Sequence, residues 1–274
     1  MRPLAPLGRR RVRVTAADDV GAYRVLAAED PDGPVPAPGQ FYMLAAAAGW
    51  GAGADERPYL PRAFSFLRAE GGELSFMLEV VGPGTHRLAH LEAGDELWLT
   101  GPLGEPFRAP GGWGGVPTRR ALLAGGGVGV PPLSAWMRAL TSAGADVRAV
   151  LGFRDEHHAA GAALMPDGRV ELSTDDGSVG HHGLVTALLA AALDGDDHAV
   201  VYACGPPAML EAVRALCAAR DVPAQLALEA GMACGFGACY GCVVPLRDGG
   251  YVRLCIDGPV LDAHRLDLVP EDVH

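Results

Sequence analysis

The stretch that decides the fold of this chain is Ala233–Cys255, which reads ACGFGACYGCVVPLRDGGYVRLC. Four cysteines lie within it, spaced C-x4-C-x2-C, with a fourth cysteine after twelve further residues. This is the plant-type spacing for a 2Fe–2S cluster, in which one tight loop supplies three thiolates and a fourth returns from elsewhere. The predicted metal ligands are Cys234, Cys239, Cys242 and Cys255.

Three glycines, Gly235, Gly237 and Gly241, lie between these ligands. Glycine permits positive φ angles, and a loop built from it leaves backbone N–H groups free to point at sulfur. The glycines therefore support a loop that wraps around a cluster.

Other uses of the cysteines stay open on the sequence alone. A zinc site usually shows two C-x2-C pairs, whereas only Cys239 and Cys242 form one here. A c-type haem needs a histidine after C-x-x-C, where this chain has Val243. A disulfide framework would leave Cys204 and Cys217 unpaired, in a chain without a secretion signal.

The composition excludes several classes of partner. The 274 residues include 33 acidic and 22 basic side chains, a formal net charge of −11. Such a chain is a poor binder of nucleic acids and of anionic membranes. No apolar run reaches the ~20 residues that span a bilayer, and the basic residues at 9–13 lack the apolar region of a targeting signal. We therefore expect a cytoplasmic protein without a nucleic-acid or membrane partner.

The sequence pattern changes twice along the chain and predicts three domains. Residues 1–112 contain six short alternating runs between Gly, Pro and Asp turns, which predict a small antiparallel β-barrel. Residues 113–222 alternate apolar strands with helical patterns, which predicts an α/β domain with a parallel sheet. Residues 223–274 form a small cluster module. The predicted fold class is therefore α+β multidomain.

Two motifs in the barrel segment have both a structural and a functional interpretation. Arg62-Ala63-Phe64-Ser65 enters a strand, and Arg62 is either an ordinary strand-start arginine or a ligand of a pyrophosphate. In the functional case, Ser65 could bond a flavin ring nitrogen. Gly82-Pro83-Gly84-Thr85 could bring the backbone and the Thr85 hydroxyl to a phosphate, but by itself it favours a simple hairpin turn.

Two motifs in the second segment predict a nucleotide site. The run GGGVGVPP, at 125–132, follows a strand and opens a helix, so Gly127 and Gly129 could lie against a phosphate at the helix N-terminus. A second strand ends at Cys204-Gly205, at the same carboxyl edge, where open α/β sheets bind ligands. Cys204 is either a small buried apolar residue or a possible catalytic neighbour of a nicotinamide ring.

The motifs RAFS, GPGT, GGGVGVPP and CGPPAML and then the cluster loop, in this order along the chain, resemble the ferredoxin–NADP reductase superfamily. More specifically, nearly the whole chain resembles the electron-transfer subunits of type B dihydroorotate dehydrogenase. The most specific segments are those at 173–178 (STDDGS), 228–235 (LEAGMACG), 237–239 (GAC) and 255–260 (CIDGPV).

The resemblance implies an FAD held between the barrel and the nucleotide domain. The implied FAD-binding residues are Arg62, Ala63, Phe64, Ser65, Met77, Leu78, Glu79, Gly84 and Thr85. The segment Met77–Glu79 departs from the aromatic and basic residues that are frequent there in the family. Backbone contacts to FAD are therefore the expectation at these positions, rather than stacking or charge pairing.

The resemblance also implies an oxidoreductase subunit. A partner subunit would oxidise dihydroorotate on FMN, and electrons would pass through the cluster and FAD to NAD+, with two copies of each subunit. Asp155 and Glu156, after a predicted strand, would repel a 2′-phosphate and favour NAD over NADP. Two alternatives stay open: the small subunit of another flavin and iron–sulfur reductase, such as an NADH-dependent ferredoxin–NADP oxidoreductase or a sulfide dehydrogenase, and a non-catalytic regulatory module that binds nucleotide and zinc.

Overall fold

The computed structural model describes residues 9–51, 58–109, 120–194 and 198–267. The first described strands form a closed barrel in the order β1-β2-β5-β4-β3-β6, with antiparallel neighbours. This confirms the predicted barrel. Its elements are β1 (Arg10–Val20), β2 (Tyr23–Glu29), β3 (Phe41–Ala46), β4 (Arg62–Glu70), β5 (Glu73–Glu79), the helix α1 (Pro83–Ala89) and β6 (Glu96–Leu103).

Alternation along β5 separates the barrel core from a neighbouring cleft. Leu74, Phe76 and Leu78 are buried with the side chains that fill the barrel. Met77 and Glu79 point to the other side, as the two-residue period of a strand requires. The strand β5 therefore serves both as a wall of the barrel and as a wall of the cleft.

The second sheet has seven strands in the order β10-β9-β8-β7-β11-β12-β15. Its strands run parallel except for β15, which pairs antiparallel with β12. The remaining elements are β7 (Arg120–Gly126), α2 (Val130–Ser142), β8 (Asp146–Phe153), α3 (Glu156–Ala159), β9 (Arg169–Thr174), β10 (His181–His182), α4 (Val185–Leu193), β11 (Ala199–Cys204), α5 (Pro207–Ala219), β12 (Ala224–Ala227), β13 (Val243–Pro245), β14 (Tyr251–Arg253) and β15 (Val260–Asp262).

Helices cover both faces of this sheet because its central strands are apolar on both sides. Ala121 and Leu123 of β7 pack with side chains of α2, while Leu122 and Ala124 pack with those of α4 and α5. This is the predicted α/β domain with a parallel sheet. None of the helices in the described part of the chain is long and apolar enough to cross a bilayer.

The segment after residue 222 is joined to both sheets. It supplies β12 and β15 to the seven-stranded sheet, and β13 and β14 form a separate hairpin. The Glu105 N–H donates to the Gly258 carbonyl at 2.5 Å, which fastens this segment to the end of the barrel. The division of the chain after residues 112 and 222 stays a prediction.

Candidate functional site

The four predicted metal ligands lie together as two pairs of sulfur atoms. The Cys234 side chain lies beside that of Cys239, and the Cys255 side chain lies beside that of Cys242. The Gly241 N–H donates to Cys239 Sγ at 3.4 Å, and the Cys255 N–H donates to Cys242 Sγ at the same distance. The loop thus gathers thiols and directs backbone donors at their sulfur atoms.

The glycines of this loop have distinct roles. Gly235 and Gly237 take positive φ angles of 77° and 82°, as the sequence predicts. A Cβ at Gly235 would also lie 2.6 Å from the side chain of Met43. Gly241 has no positive φ, and its contribution is the N–H bond to Cys239.

The pairwise arrangement fits a two-iron cluster. Among the described residues, no three His, Cys, Asp or Glu side chains surround one metal position. A structural zinc ion needs four ligands around a single centre, whereas each iron of a 2Fe–2S cluster takes two of the four thiolates. Four cysteines gathered as two sulfur pairs fit such a cluster.

The two sulfur pairs differ in exposure. Cys242 and Cys255 are buried, Cys234 is half-buried and Cys239 is exposed. Burial, together with the Cys242 thiol, raises the pKa of Cys255 to about 12. Burial also acts to raise the pKa of Cys234, but N–H groups of the loop outweigh it and lower that pKa to about 7. A bound metal supplies the positive charge that the buried thiolates lack.

A cleft of about 220 Å³ lies beside this loop, between the barrel, the start of α2 and the segment after β12. Its walls are mostly apolar, which suits a flat aromatic ring system. The side chains along it are those of Phe41, Ala63, Phe64, Ser65, Met77, Glu79, Val81, Thr85, Val128, Pro131, Leu228, Glu229, Ala230, Met232 and Pro259.

The barrel side of the cleft brings the first two predicted motifs together. A Cβ at Gly84 would lie 2.6 Å from Arg62 Nε, so only a glycine leaves room for this arginine. The interpretation of Gly82–Thr85 as a hairpin turn is wrong, because α1 begins at Pro83. The Thr85 hydroxyl accepts the N–H groups of Val81 and Gly82 and donates to the Gly82 carbonyl. Any phosphate contact by Thr85 would therefore use its backbone.

The segment Met77–Glu79 contributes unequally. Met77 and Glu79 line the cleft, whereas the Leu78 side chain is fully buried inside the barrel. Leu78 can contribute only backbone atoms to a ligand in the cleft. Charge pairing is nonetheless present at this segment, because the Glu79 carboxylate accepts a hydrogen bond of 2.6 Å from Arg154.

The two predicted nucleotide motifs meet at the carboxyl edge of the parallel sheet. A Cβ at Gly129 would overlap the Cys204 carbonyl, and one at Gly205 would lie 2.7 Å from the end of Met209. Gly127 has a φ of 53° and open space beside it. The glycines therefore let two strand ends pack tightly and leave one turn open to a ligand.

Cys204 is a buried thiol next to the cleft. Burial raises its pKa well above the ordinary value, and the nearby Glu229 carboxylate raises it further. Cys204 is therefore protonated at neutral pH and is no nucleophile in this state. Its position agrees equally with packing and with contact to a nicotinamide ring.

Glu229 is a cleft residue to which the motifs assigned no role. It lines the cleft, and desolvation of its carboxylate by the surrounding protein raises the pKa of Glu229. Its neighbours Leu228, Ala230 and Met232 complete this wall. The signal in the sequence was Glu229 directly after a short strand at the carboxyl edge, but β12 was not among the predicted strands.

Asp155, predicted to repel a 2′-phosphate, begins α3 at the carboxyl end of β8. Its carboxylate accepts the His158 N–H at 2.9 Å and bonds the His158 ring at 2.7 Å. Hydrogen bonds from His158 hold the pKa of Asp155 below its usual range. Glu156 is exposed beside it. This edge of the sheet therefore carries negative charge at neutral pH.

The sequence around the cluster loop and most of the chain match a known protein family. Residues 229–267 match the family described as the iron–sulfur cluster binding domain of dihydroorotate dehydrogenase B. A dihydroorotate dehydrogenase B (NAD(+)) electron transfer subunit from Bacillus caldolyticus is 39% identical over 238 residues, which cover 82% of this chain and 85% of the relative. The chain belongs to this family of electron transfer subunits. The Clostridium acetobutylicum member is 36% identical over 223 residues, or 81% of this chain and 83% of its own length.

Solved structures extend the comparison to the fold. A chain of the NADH-dependent reduced ferredoxin-NADP oxidoreductase has a TM-score of 0.78 at 23% identity, over 97% of this chain and 92% of its own. A ferredoxin reductase in carbazole 1,9a-dioxygenase has a TM-score of 0.66 at 25% identity, over 80% and 68%. The predicted family and fold class are confirmed for this electron transfer subunit.

Proposed function

We propose that this chain carries electrons from a catalytic dihydroorotate dehydrogenase subunit to NAD+, through a 2Fe–2S cluster and an FAD that it binds itself. The single observation that carries the proposal is the adjacency of the two sites. One short segment, from Leu228 to Cys239, lines the cleft at its start and supplies two cluster ligands at its end. Electrons leaving the cluster thus have little protein to cross.

The residues of the cleft fit FAD. Arg62, fixed over Gly84, supplies a positive charge for the pyrophosphate. The half-buried Ser65 and the apolar Met77 suit the edge and the face of an aromatic ring system. When bound, FAD supplies the exchange between single electrons and a hydride, which neither an iron–sulfur centre nor a nicotinamide provides alone. Gly127, Gly129, Cys204 and Gly205 are proposed to contact the NAD+.

Glu229 is proposed to hold the proton that the reaction consumes. Conversion of NAD+ to NADH takes two electrons and one proton, and electrons that arrive through the cluster bring no proton with them. Of the two carboxylates that line the cleft, Glu79 is paired with Arg154, whereas burial raises the pKa of Glu229 and so favours the protonated form of its carboxyl group. Cys204 is the titratable neighbour on β11.

The catalytic partner is proposed to bind on the face around Cys239. This ligand is exposed, and the large exposed side chains nearby are Phe236, Tyr240 and Tyr251. Arg253 lies over the Tyr240 ring at 5.1 Å. Exposed aromatic and arginine side chains of this kind anchor protein interfaces. FMN in the partner, two copies of each subunit and a cytoplasmic location are further predictions from the resemblance.

Reconstitution with the catalytic subunit tests the proposal. Anaerobically purified complex should reduce NAD+ with dihydroorotate as donor, whereas this chain alone should oxidise NADH only with artificial acceptors. Cys239→Ser should abolish coupling to the partner more strongly than NADH–FAD exchange. Normal coupling in that variant, or absence of dihydroorotate activity in the cofactor-loaded complex, would refute the proposal. Electron exchange between NADPH and ferredoxin without the partner would instead favour the alternative that the chain is the small subunit of another flavin and iron–sulfur reductase.

The proposed role of Glu229 has its own test. Glu229→Gln should slow the reduction of NAD+ by electrons that arrive through the cluster by about a hundredfold, within the range of general acid–base catalysis. Infrared difference spectra should contain a protonated carboxyl band that persists above the ordinary carboxyl pKa and that this variant lacks. Glu171→Gln, on the exposed surface of β9, serves as the control and should change neither measurement. An unchanged rate of cluster-driven NAD+ reduction in Glu229→Gln would contradict the role.

A further inference from the structure

The end of β8 and the end of β5 are joined across the two sheets by an arginine. Arg154 directly follows β8, and its guanidinium donates to the Glu79 carboxylate at 2.6 Å. The same guanidinium nitrogen lies 2.8 Å from His158 Nε2. Glu79 thus holds Arg154 against the barrel, on the side of the flavin cleft.

The position of Arg154 along the chain matters for nucleotide binding. In open α/β sheets, the strand that follows the glycine-rich turn ends near the adenosine ribose, where an acidic residue bonds a 2′-hydroxyl and an arginine accommodates a 2′-phosphate. Strand β8 is that strand here, and both residue types, Arg154 and Asp155, stand at its end.

Further carboxylates lie at the same edge. The Asp175 N–H donates to the Phe153 carbonyl at 3.0 Å, and the Asp176 N–H donates to the Arg154 carbonyl at 3.2 Å. These two bonds hold the end of β9 beside the end of β8. A 2′-phosphate at this edge would therefore meet negative side chains, while the arginine suited to it is engaged elsewhere.

We propose that Glu79 is a specificity-determining residue, which favours NAD over NADP by holding Arg154 away from the 2′-position of the bound nucleotide. The inference rests on the proposed NAD+ reduction, and it links a residue of the flavin cleft to the choice of nucleotide. His158 supports Glu79 from the other side, because its ring Nε2 lies 2.8 Å from the same guanidinium nitrogen. The carboxylates of Asp155, Asp175 and Asp176 at this edge then repel a 2′-phosphate, while Arg154 is held away from it.

Fragment binding tests this inference without relying on turnover. The probes are adenosine 2′,5′-bisphosphate and 5′-AMP, titrated against the flavin-loaded protein. Glu79→Gln should shift the ratio of the two dissociation constants about fivefold toward the bisphosphate, the change that an ion pair with a largely exposed arginine supports. The gain should shrink at high salt, because ions screen the attraction between arginine and phosphate.

A double variant isolates the part played by the arginine. Glu79→Gln combined with Arg154→Gln should return the ratio to its original value. Glu171→Gln is the matched control, because it removes a comparable exposed partner from Arg148 on the same sheet. His158→Ala, which leaves the cleft intact, should shift the ratio in the same direction by a smaller factor, and it carries the test if Glu79→Gln loses its flavin.

The outcomes separate this inference from the proposed function. A ratio that is unchanged in both Glu79→Gln and His158→Ala, or a gain that persists in the double variant, would overturn the role of Glu79 and leave the proposed function standing. Failure of the unmodified protein to bind either fragment or NAD+ would overturn the proposed function itself.

Discussion

The six cysteines of this chain occupy two contrasting environments. In the cluster loop the thiols lie in pairs, with backbone N–H groups directed at sulfur and Cys239 exposed. In the α/β domain, Cys204 on β11 and Cys217 on α5 are each buried among apolar side chains. The same side chain is therefore a proposed metal ligand in one region and a small apolar residue in the other. Glycine placement and backbone donors, more than cysteine content, make the difference.

The largest expected effect is a difference in iron and sulfide content between variants that lack one cysteine from each environment. Cys242→Ser should reduce bound iron and acid-labile sulfide from about two of each per chain to nearly none, because one iron loses a ligand. Cys217→Ala should retain its iron and its acid-labile sulfide. Iron and sulfide assays on anaerobically purified protein measure this difference. Equal losses of iron and sulfide in the two variants would contradict the distinction between the two cysteine environments.

Thiol labelling extends the comparison to reactivity. Burial raises the pKa of Cys217 to about 12, so at pH 8 its proton stays on and the thiolate fraction is roughly a thousandfold below that of an ordinary cysteine. Iodoacetamide should therefore leave Cys217 unmodified in the native protein and modify it after unfolding in urea. The labelling rate should rise only as the pH approaches 12. Rapid labelling of native protein at pH 8, located by mass spectrometry, would refute this environment.

A substitution in the cleft tests whether FAD binding can be weakened without loss of the cluster. Arg62→Ala should weaken FAD binding by about tenfold or more, since it removes a charge-assisted hydrogen bond to a phosphate. The iron content should not change. Arg68→Ala, which removes an exposed arginine from the same strand, is the control for the charge. Flavin fluorescence measures the FAD affinity of each variant. Equal affinities in the two variants would show that Arg62 does not bind FAD.

The smallest effect concerns a single glycine in the cluster loop. Gly235→Ala and Gly249→Ala both place a Cβ at a positive φ, 77° and 87°. Only the first would meet a neighbour, Met43, whereas Gly249 has open space around it. We expect Gly235→Ala to lower the Tm by about 2–4 °C more than Gly249→Ala, which corresponds to about 1 kcal/mol. Equal shifts would mean that packing against the barrel does not constrain the loop.

The sequence predicted best the features that depend on local spacing. The cysteine spacing and the turn at Gly125–Gly129 could be interpreted within a few residues, and the alternating runs predicted the barrel. The far wall of the cleft could not be found in this way, because Glu229 depends on β12, a four-residue strand buried at every position. The bond between Glu79 and Arg154 joins residues 75 positions apart, and no local pattern predicts such a pair.

Two motifs show what the local sequence could not resolve. Gly82-Pro83-Gly84-Thr85 suits a hairpin turn, but the Thr85 hydroxyl bonds the preceding backbone and starts a helix instead. The resemblance assigned Leu78 to the FAD, and alternation turns its side chain into the barrel, so only its backbone can face the cleft. In both cases the local sequence did not show which face of the element is buried.

Anaerobic titration with NADH, followed by electron paramagnetic resonance, tests the central claim most directly. The account predicts that NADH reduces the 2Fe–2S cluster of the flavin-loaded protein, and that it fails to do so in Arg62→Ala protein depleted of FAD until FAD is added back. Cluster reduction at the same rate without FAD, or no reduction in the fully loaded protein, would contradict the account.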